Sequence, residues 1–314
     1  MSRLFAAFVL FALVGAACSA GQPASSKDVA GPTIEWTPGL NPMTAPTLTA
    51  SPSSVAASFG GSPAPVQSPT TAPSPTAPTA ASPGSVLIAY EDTAQVEVVS
   101  PGGQRVLIDV WNPDLLSRAP VAADVLLTTH SHDDHFLAQW VAAFPGQTIT
   151  FRSGHLVARD VTITSIAAAH NVGDPMLESG GTNYLFLIDV AGLRIAHLGD
   201  LGQDRLSATQ LKALGRVDVV ISQLTNQFSD ATLANRKGIH LVAQLKPRLF
   251  IPTHILEDTV AELHDVASVW PPAYSTARWL TLSRGTLPAS TQVLFLGTDA
   301  PTYAKLSSAS PFGG

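Results

Sequence analysis

Residues 124–135 read DVLLTTHSHDDH, an apolar run that ends in three histidines and two further aspartates. The Val-Leu-Leu run is typical of a buried strand, so the polar residues are expected in a loop at its carboxyl end. Imidazole and carboxylate groups are good ligands for zinc and similar divalent metals. His130 and His132 can project to one side of an extended segment, while Asp134 and His135 turn toward a neighbouring position. This pattern favours two adjacent metal sites over a solvated polar loop.

The segments around this stretch alternate between predicted strands and helices. Hairpin-like strands come first and helix–strand alternation follows, which predicts sheets with helices on their outer faces. The predicted helices cover residues 136–144, 207–214, 231–245 and 258–269. The predicted strands cover residues 86–90, 95–100, 105–110, 124–129, 147–151, 161–166, 183–190, 193–198, 217–222, 248–251 and 291–296.

The spacing His-x-His-x-Asp-His at the end of a strand resembles that of the metallo-β-lactamase-fold hydrolases. Four other segments match motifs of that family in the family's order: Leu107-Ile108-Asp109, Ala168-Ala169-His170, His197-Leu198-Gly199-Asp200 and Ile251-Pro252-Thr253-His254. The continuation HLGDLG at 197–202 is similar to the lactonase-like members. The resemblance spans residues 86–254. It implies a four-layer αββα sandwich, an α/β (α+β) fold of two mixed sheets with helices outside.

The same resemblance implies a site for two divalent metal ions, with zinc as the default and manganese or iron as alternatives. By motif position, the first metal would be held by His130, His132 and His170. The second would be held by Asp134, His135 and His254. Asp200 would bridge the two. A bridging hydroxide would attack the substrate, because two metals lower the pKa of a bound water toward about 7. Asp134 would also orient this nucleophile or shuttle a proton. Asp109 would support the metal loop from behind.

Two histidines compete for the third position at the first metal. His197 lies three residues before Asp200, near the end of the same predicted strand, and opposite parity would send the two side chains to different faces. His170 lies in a predicted loop, where a side chain is freer to converge on a site. We therefore expect His170 to be the ligand. His197 would support the ligands from behind or face the substrate.

The predicted activity is metal-dependent hydrolysis of an ester, lactone, amide or phosphodiester bond in a small-molecule substrate. One alternative is a non-catalytic, metal-bound binding module on the cell surface. Another is a redox member of the fold with a di-iron centre. Such members replace the second histidine of the motif with glutamate, and His132 of this chain argues against that alternative.

One segment departs from the lactonase-like pattern. Residues 222–227 read SQLTNQ where those relatives have a Gly-rich segment, which argues against transferring their substrates. Nearby, Arg236 and Lys237 are candidates for contacting an anionic substrate, although a solvated helix face is the commoner role of such a pair. His240 in the same region is expected to have a structural or solvated role.

The first 84 residues differ in composition from the rest of the chain. They hold 13 of the 25 prolines and only four of the 40 Lys, Arg, Asp and Glu residues. Arg3, an apolar run over 4–14 and small residues before Cys18 predict a signal peptide over 1–17. Residues 18–84 predict a disordered tether rich in Pro, Ser, Thr and Ala. Residues 85–314 are then the metallo-β-lactamase-fold domain.

The position of Cys18 indicates the lipidated first residue of a bacterial lipoprotein, and ordinary cleavage after Ala20 to give a secreted protein is the alternative. The sequence therefore predicts an exported protein that meets the outer face of a bacterial membrane through its lipid anchor only. Nucleic acid is not expected as a stable partner, because phosphate neutralisation needs clustered Lys and Arg and the net charge is -6. The oligomeric state is left open.

Overall fold

The computed structural model describes Ala81 and residues 84–255 and 260–297. These residues form 14 strands, four α-helices and two short 3₁₀ turns. The predicted signal peptide, Cys18 and almost all of the predicted tether lie outside the described residues. None of the helices in the described part of the chain is both long and apolar enough to cross a membrane.

The first sheet is mixed, with three antiparallel and two parallel strand pairs. Its six strands are, in spatial order, β13 (Trp279–Leu282), β1 (Val86–Asp92), β2 (Gln95–Val99), β3 (Arg105–Ile108), β4 (Val125–Thr128) and β5 (Gln147–Thr150). Neighbours from β13 to β3 pair antiparallel, whereas β3, β4 and β5 run parallel. The carboxyl ends of β3 and β4 therefore meet at one edge of the sheet.

The second sheet is mixed in the same way. Its eight strands are, in spatial order, β12 (Pro272–Ser275), β14 (Gln292–Leu296), β11 (Leu249–Thr253), β10 (Val219–Gln223), β9 (Leu193–His197), β8 (Asn183–Val190), β7 (Val161–Ala168) and β6 (Gly154–Ala158). Strands β12 to β9 run parallel, and β9 to β6 alternate in direction. Because β8 is antiparallel to both of its neighbours, β7 points the same way as β9.

Alternation along the strands produces the layers. In β8, Phe186 and Ile188 join the core between the two sheets, while Leu185 and Leu187 pack on the outer face. That outer face is covered by α2 (Ala208–Leu214), α3 (Lys237–Leu245) and α4 (Val260–Ala267). The outer face of the first sheet is covered by α1 (Ala138–Ala142) and the residues beside it. The predicted αββα sandwich of two mixed sheets is confirmed.

Some predicted elements differ from the structure. The helix predicted over 231–245 begins only at Lys237, because Asn226 and Ala231 form a β-bridge and residues Gln227–Ser229 form a 3₁₀ turn. The sequence pattern also fails to predict β6, β12 and β13. These strands are mostly half-buried or exposed, so they carry little of the apolar alternation that marks a strand.

Candidate metal centre

The structure brings all seven predicted ligands together in two adjacent groups. The groups are His130, His132, His170 and Asp200; and Asp134, His135 and His254. Within each group, one potential ligand atom of every residue lies within 4.8 Å of the others. The residues come from the carboxyl ends of β4, β7, β9 and β11, which the strand directions gather at one edge of the sandwich.

Asp200 lies between the two groups. Its Oδ2 atom is 3.7 Å from Nε2 of His130 and 3.7 Å from Nε2 of His170. Its Oδ1 atom is 3.3 Å from Nε2 of His135 and 3.4 Å from Nε2 of His254. Each oxygen of one carboxylate therefore faces a different pair of histidines.

Asp109 fixes the metal loop from behind. Its Oδ1 accepts a hydrogen bond from the Thr129 amide at 2.7 Å, and its Oδ2 accepts one from the Thr129 hydroxyl at 2.8 Å. Nδ1 of His135 lies 3.0 Å from the same Oδ2 atom. Asp109 is fully buried with a φ of 50°, a left-handed conformation that Asp and Asn tolerate better than most residues. The carboxylate thus holds the His135 ring with Nε2 directed at Asp200.

Two glycines allow the loops to approach one another. Gly199 has a φ of 56°, and a Cβ there would clash with the side chains of Asn183 and Thr129. A Cβ on Gly202 would overlap the carbonyl oxygen of His170. The segment that carries Asp200 can therefore turn tightly and lie against the His170 loop only with glycine at these positions.

His197 lies outside both groups. It is 1% exposed; its Nε2 lies 3.3 Å from the carbonyl oxygen of Ala94, and its Nδ1 accepts a hydrogen bond from the Gly199 amide at 3.2 Å. Both ring nitrogens are thus engaged with backbone groups. His197 supports the turn before Asp200, whereas His170 joins the first group.

The crowded ionisable groups shift one another's pKa values. Burial lowers the pKa of His130 far below its usual range, and the neighbouring His135 lowers it further. Burial alone would raise the pKa of Asp200, but His254 and His135 hold it well below its ordinary value. Burial also opposes the charged form of His135, but Asp200 and Asp109 outweigh it and raise the pKa of His135 to about 10. Asp200 and His130 are thus held in the forms that bind metals, a carboxylate and a neutral imidazole, whereas a cation would have to displace the proton that Asp200 and Asp109 stabilise on His135.

The donor atoms fit a metal ion. Nε2 of His130 and Nε2 of His170 are buried, and within the described residues neither has a hydrogen-bond partner. A buried polar group without a partner costs about 1–3 kcal/mol, so two such atoms facing one carboxylate call for an explanation. A divalent cation held by these two nitrogens and Asp200 would satisfy both of them.

A cavity of about 500 Å³ opens over the two groups, and it is lined by Ser131, His132, Asp133, Asp134, Asp200 and Phe228.

Two residues at this edge are not predicted from the sequence. Phe228 contributes an exposed ring, and Nδ2 of Asn226 donates a hydrogen bond to Oδ2 of Asp200 at 2.7 Å. The unusual polar stretch at 222–227 was the available signal for Asn226, whereas Phe228 follows that stretch without any motif.

The basic pair on α3 does not face the cavity. Lys237 is buried, and its Nζ donates to the carbonyl oxygens of Gly202 at 2.9 Å and Ser229 at 3.4 Å. Arg236 pairs with Asp265 at 2.9 Å. A solvated helix face is therefore wrong for Lys237, and neither residue lies where it would contact a substrate in the cavity.

Comparison with known proteins identifies the family. A family model described as a beta-lactamase superfamily domain matches residues 88–254, more than half of the chain. The chain belongs to the metallo-β-lactamase superfamily. This metallo-β-lactamase-fold protein is 25% identical over 212 residues to a UPF0173 metal-dependent hydrolase of Thermococcus onnurineus, which covers 60% of this chain and 87% of the relative. A second UPF0173 metal-dependent hydrolase, from Thermococcus kodakarensis, is 25% identical over 197 residues, covering 54% and 80%.

Solved structures with a similar fold are more distant. A protein of Thermotoga maritima, described as a zinc-dependent hydrolase of the metallo-β-lactamase superfamily, has a TM-score of 0.49 and 20% identity, covering 67% of this chain and 99% of that one. CmlA, a diiron β-hydroxylase of Streptomyces venezuelae, has a TM-score of 0.38 and 14% identity, covering 55% and 45%. The family match and the named relatives make this chain a metal-dependent hydrolase, as the sequence predicts.

Proposed function

We propose that this chain is an exported hydrolase with a dinuclear metal centre that cleaves an ester, lactone, amide or phosphodiester bond in a small-molecule substrate. The observation that supports two metals is the position of Asp200. One of its oxygens faces His130 and His170, and the other faces His135 and His254. A carboxylate in that position is suited to bridge two cations.

The proposed roles follow from burial and reach. Two divalent cations, zinc by default, would supply a water of lowered pKa and polarise the scissile group. His130, His132 and His170 would hold one of them, and Asp134, His135 and His254 the other. The side chain of Asp134 is 47% exposed and lines the cavity, so its carboxylate can also orient the attacking water or carry a proton to the leaving group.

The alternatives remain weaker for specific reasons. Redox members of the fold carry glutamate where this chain has His132. A binding module without activity has no need of a carboxylate that both lines the cavity and reaches the second group, as Asp134 does.

Turnover by the zinc-loaded full chain tests this proposal. We expect hydrolysis of at least one class in a panel of esters, lactones, amides and phosphodiesters, lost with a chelator and restored by zinc. Asp134→Asn should lower kcat on the order of 100-fold, because proton transfer by a positioned side chain is worth that much. Asp114→Asn, at an exposed acid on the 3₁₀ turn Pro113–Leu115, is the matched control and should leave kcat unchanged. An inert zinc-loaded protein would support a binding module, and an oxygen-consuming iron-loaded protein would support redox use.

The cellular part of the proposal rests on the sequence alone. We propose that Cys18 is lipidated, that the membrane is met only through this anchor, and that residues 18–84 act as a tether. Cys18→Ala should move the protein from the membrane fraction to the soluble fraction. Membrane association that persists in this variant would contradict the anchor.

A further inference from the structure

Phe228 is a strongly exposed aromatic residue at the mouth of the cavity. Its side chain is 69% exposed, and the other residues that line the cavity are polar or acidic. A phenyl ring left in water forfeits the free energy that burial would provide. Ligand sites commonly combine an apolar wall with a few polar groups that orient the substrate.

The ring is carried by a fastened turn, defined here as the Phe228 turn, residues 226–231. The turn is closed by two backbone hydrogen bonds between Asn226 and Ala231, at 2.8 and 3.0 Å. The Phe228 amide donates to Oδ1 of Asn226 at 2.9 Å. The same Asn226 side chain donates from Nδ2 to Asp200. The position of the ring is therefore tied to the carboxylate between the two metal-ligand groups.

A second set of bonds holds the far side of the Phe228 turn. Nε2 of Gln223 donates to the Ser229 hydroxyl at 2.7 Å and to the Leu201 carbonyl at 3.2 Å. Nζ of Lys237 joins the carbonyl oxygens of Ser229 and Gly202. Both sides of Phe228 are thus bonded to the segment around Asp200. A ring held in this way loses little conformational freedom when a ligand contacts it.

The charged side chains around the cavity limit which substrate groups can lie beside the Phe228 ring. Among the described residues, no Lys or Arg side chain lines the cavity, whereas Asp133 and Asp134 do. The basic side chains that follow the Phe228 turn already have partners, Arg236 the carboxylate of Asp265 and Lys237 the carboxylate of Asp230 and two carbonyl oxygens. With Asp134 and Asp200 assigned to the metals, an anionic substituent beside the ring would meet the carboxylate of Asp133 and no side-chain cation of opposite charge.

We infer that Phe228 determines the substrate class and that the group attached beside the scissile bond is uncharged and apolar, such as an aryl or branched alkyl group. Phe228 would contact that group while the metal-ligand groups hold the scissile part. This inference rests on the metal centre of the proposed function.

Binding of three hydroxamates to the zinc-loaded full chain tests the inference, because hydroxamates bind divalent metals without being turned over. The probes are acetohydroxamate, benzohydroxamate and 4-carboxybenzohydroxamate, and their dissociation constants are measured by calorimetry. Benzohydroxamate should bind about tenfold more tightly than acetohydroxamate, as expected for partial burial of one ring. The carboxylated compound should bind no more tightly than benzohydroxamate. Phe228→Ala should bring the first ratio below about threefold, and Phe228→Leu should preserve most of it.

Val157→Ala is the matched control, because Val157 is an exposed apolar residue on β6 that does not line the cavity. It should leave the ratio unchanged, and all three variants should keep the zinc content of the native chain. An unchanged ratio in Phe228→Ala, or tighter binding of the carboxylated probe, would overturn the inference. Predicted hydroxamate ratios in a chain that hydrolyses nothing would sustain the inference and defeat the hydrolase proposal. A zinc-loaded chain that hydrolyses a member of the substrate panel but binds none of the probes would overturn the inference and leave the hydrolase proposal standing.

Discussion

Two largely buried polar clusters lie at opposite ends of β3 and β4. The ionic cluster, beside the amino ends of these strands, consists of Glu97, Arg105, Ser117, Arg118 and Asp124. The histidine cluster, beyond the carboxyl ends, consists of His130, His132, Asp134, His135, His170, Asp200 and His254. Both clusters lie beside the same strands and most of their members are buried, but they differ in how completely their polar atoms are paired.

The ionic cluster is complete within itself. Arg105 donates to both oxygens of Glu97 at 2.7 and 2.8 Å and to Asp124 at 3.2 Å. Ser117 donates to Glu97 from its amide and its hydroxyl, and Arg118 forms two bonds with Asp124. Opposite charges face each other and every charged group has partners. Such a cluster holds the structure and has no need of a ligand.

The histidine cluster is incomplete within itself. Several imidazoles crowd one another, with the His130 and His135 ring centroids 4.0 Å apart, and the buried Nε2 atoms of His130 and His170 have no hydrogen-bond partner among the described residues. The difference shows that burial and polarity do not by themselves mark a functional site. Between these two clusters, the buried ring nitrogens without a hydrogen-bond partner are the distinguishing feature.

The largest expected effect is a loss of unfolding free energy when the ionic cluster is disrupted. Arg105→Met leaves Glu97 and Asp124 buried without their main partner, so the free energy of unfolding should fall by about 3–5 kcal/mol in urea denaturation. Arg118→Met is the control, because Arg118 is one-third exposed and Asp124 keeps Arg105; its effect should be about 1 kcal/mol or less. Equal effects of the two substitutions would remove the claim that the ionic cluster is a structural unit. The folded fraction of either variant should keep its metal.

A substitution behind the histidine cluster should instead affect metal affinity more than stability. Asp109→Asn removes the charge behind His135 but keeps a residue that tolerates the left-handed φ. Metal affinity should fall about 10–100-fold, as for other partners of metal-bound histidines, with less loss of stability than in Arg105→Met. Competition with a chelator measures the affinity, and Asp114→Asn is the control. Unchanged affinity would show that Asp109 does not act through the metal ligands.

A smaller effect concerns Glu91, a buried acid near the ionic cluster. Burial, and then the neighbouring Glu97, raise the pKa of Glu91 from 4.5 to about 7, against the opposing effect of Arg278 and Arg105. The folded state therefore binds more protons at this group than the unfolded chain between those pH values, and stability falls as pH rises through this window.

Replacing this acid should flatten the pH dependence. Between pH 5 and pH 8, native protein should lose about 2 kcal/mol more unfolding free energy than Glu91→Gln. Denaturation at both pH values measures the difference. Parallel losses in the two proteins would contradict the raised pKa.

The ligands could be predicted from the sequence because each follows a recognisable apolar strand. His170, Asp200 and His254 lie directly beyond β7, β9 and β11, and the strand directions bring them together. The ligands of the loop 130–135 are also neighbours in the sequence, so their spacing can be recognised without a structure.

The Phe228 turn could not be predicted in the same way. Residues 231–236 suit a helix locally, yet the backbone pairing of Asn226 with Ala231 delays α3 to Lys237. That shift buries Lys237 beneath the turn and aims Asn226 at Asp200, contacts that join distant parts of the chain. Likewise, β13 pairs with β1 from the other end of the fold, and no local pattern indicates this partner.

The number of metal ions per chain tests the central claim most directly. After zinc loading and removal of excess metal, elemental analysis should find about two ions in the native chain and about one each in His170→Ala and His254→Ala. His197→Ala, at a buried ring outside both groups, and His240→Ala, at an exposed position of α3, should both retain about two. One ion in the native chain, full retention in both ligand variants, or loss only in His197→Ala would contradict the account.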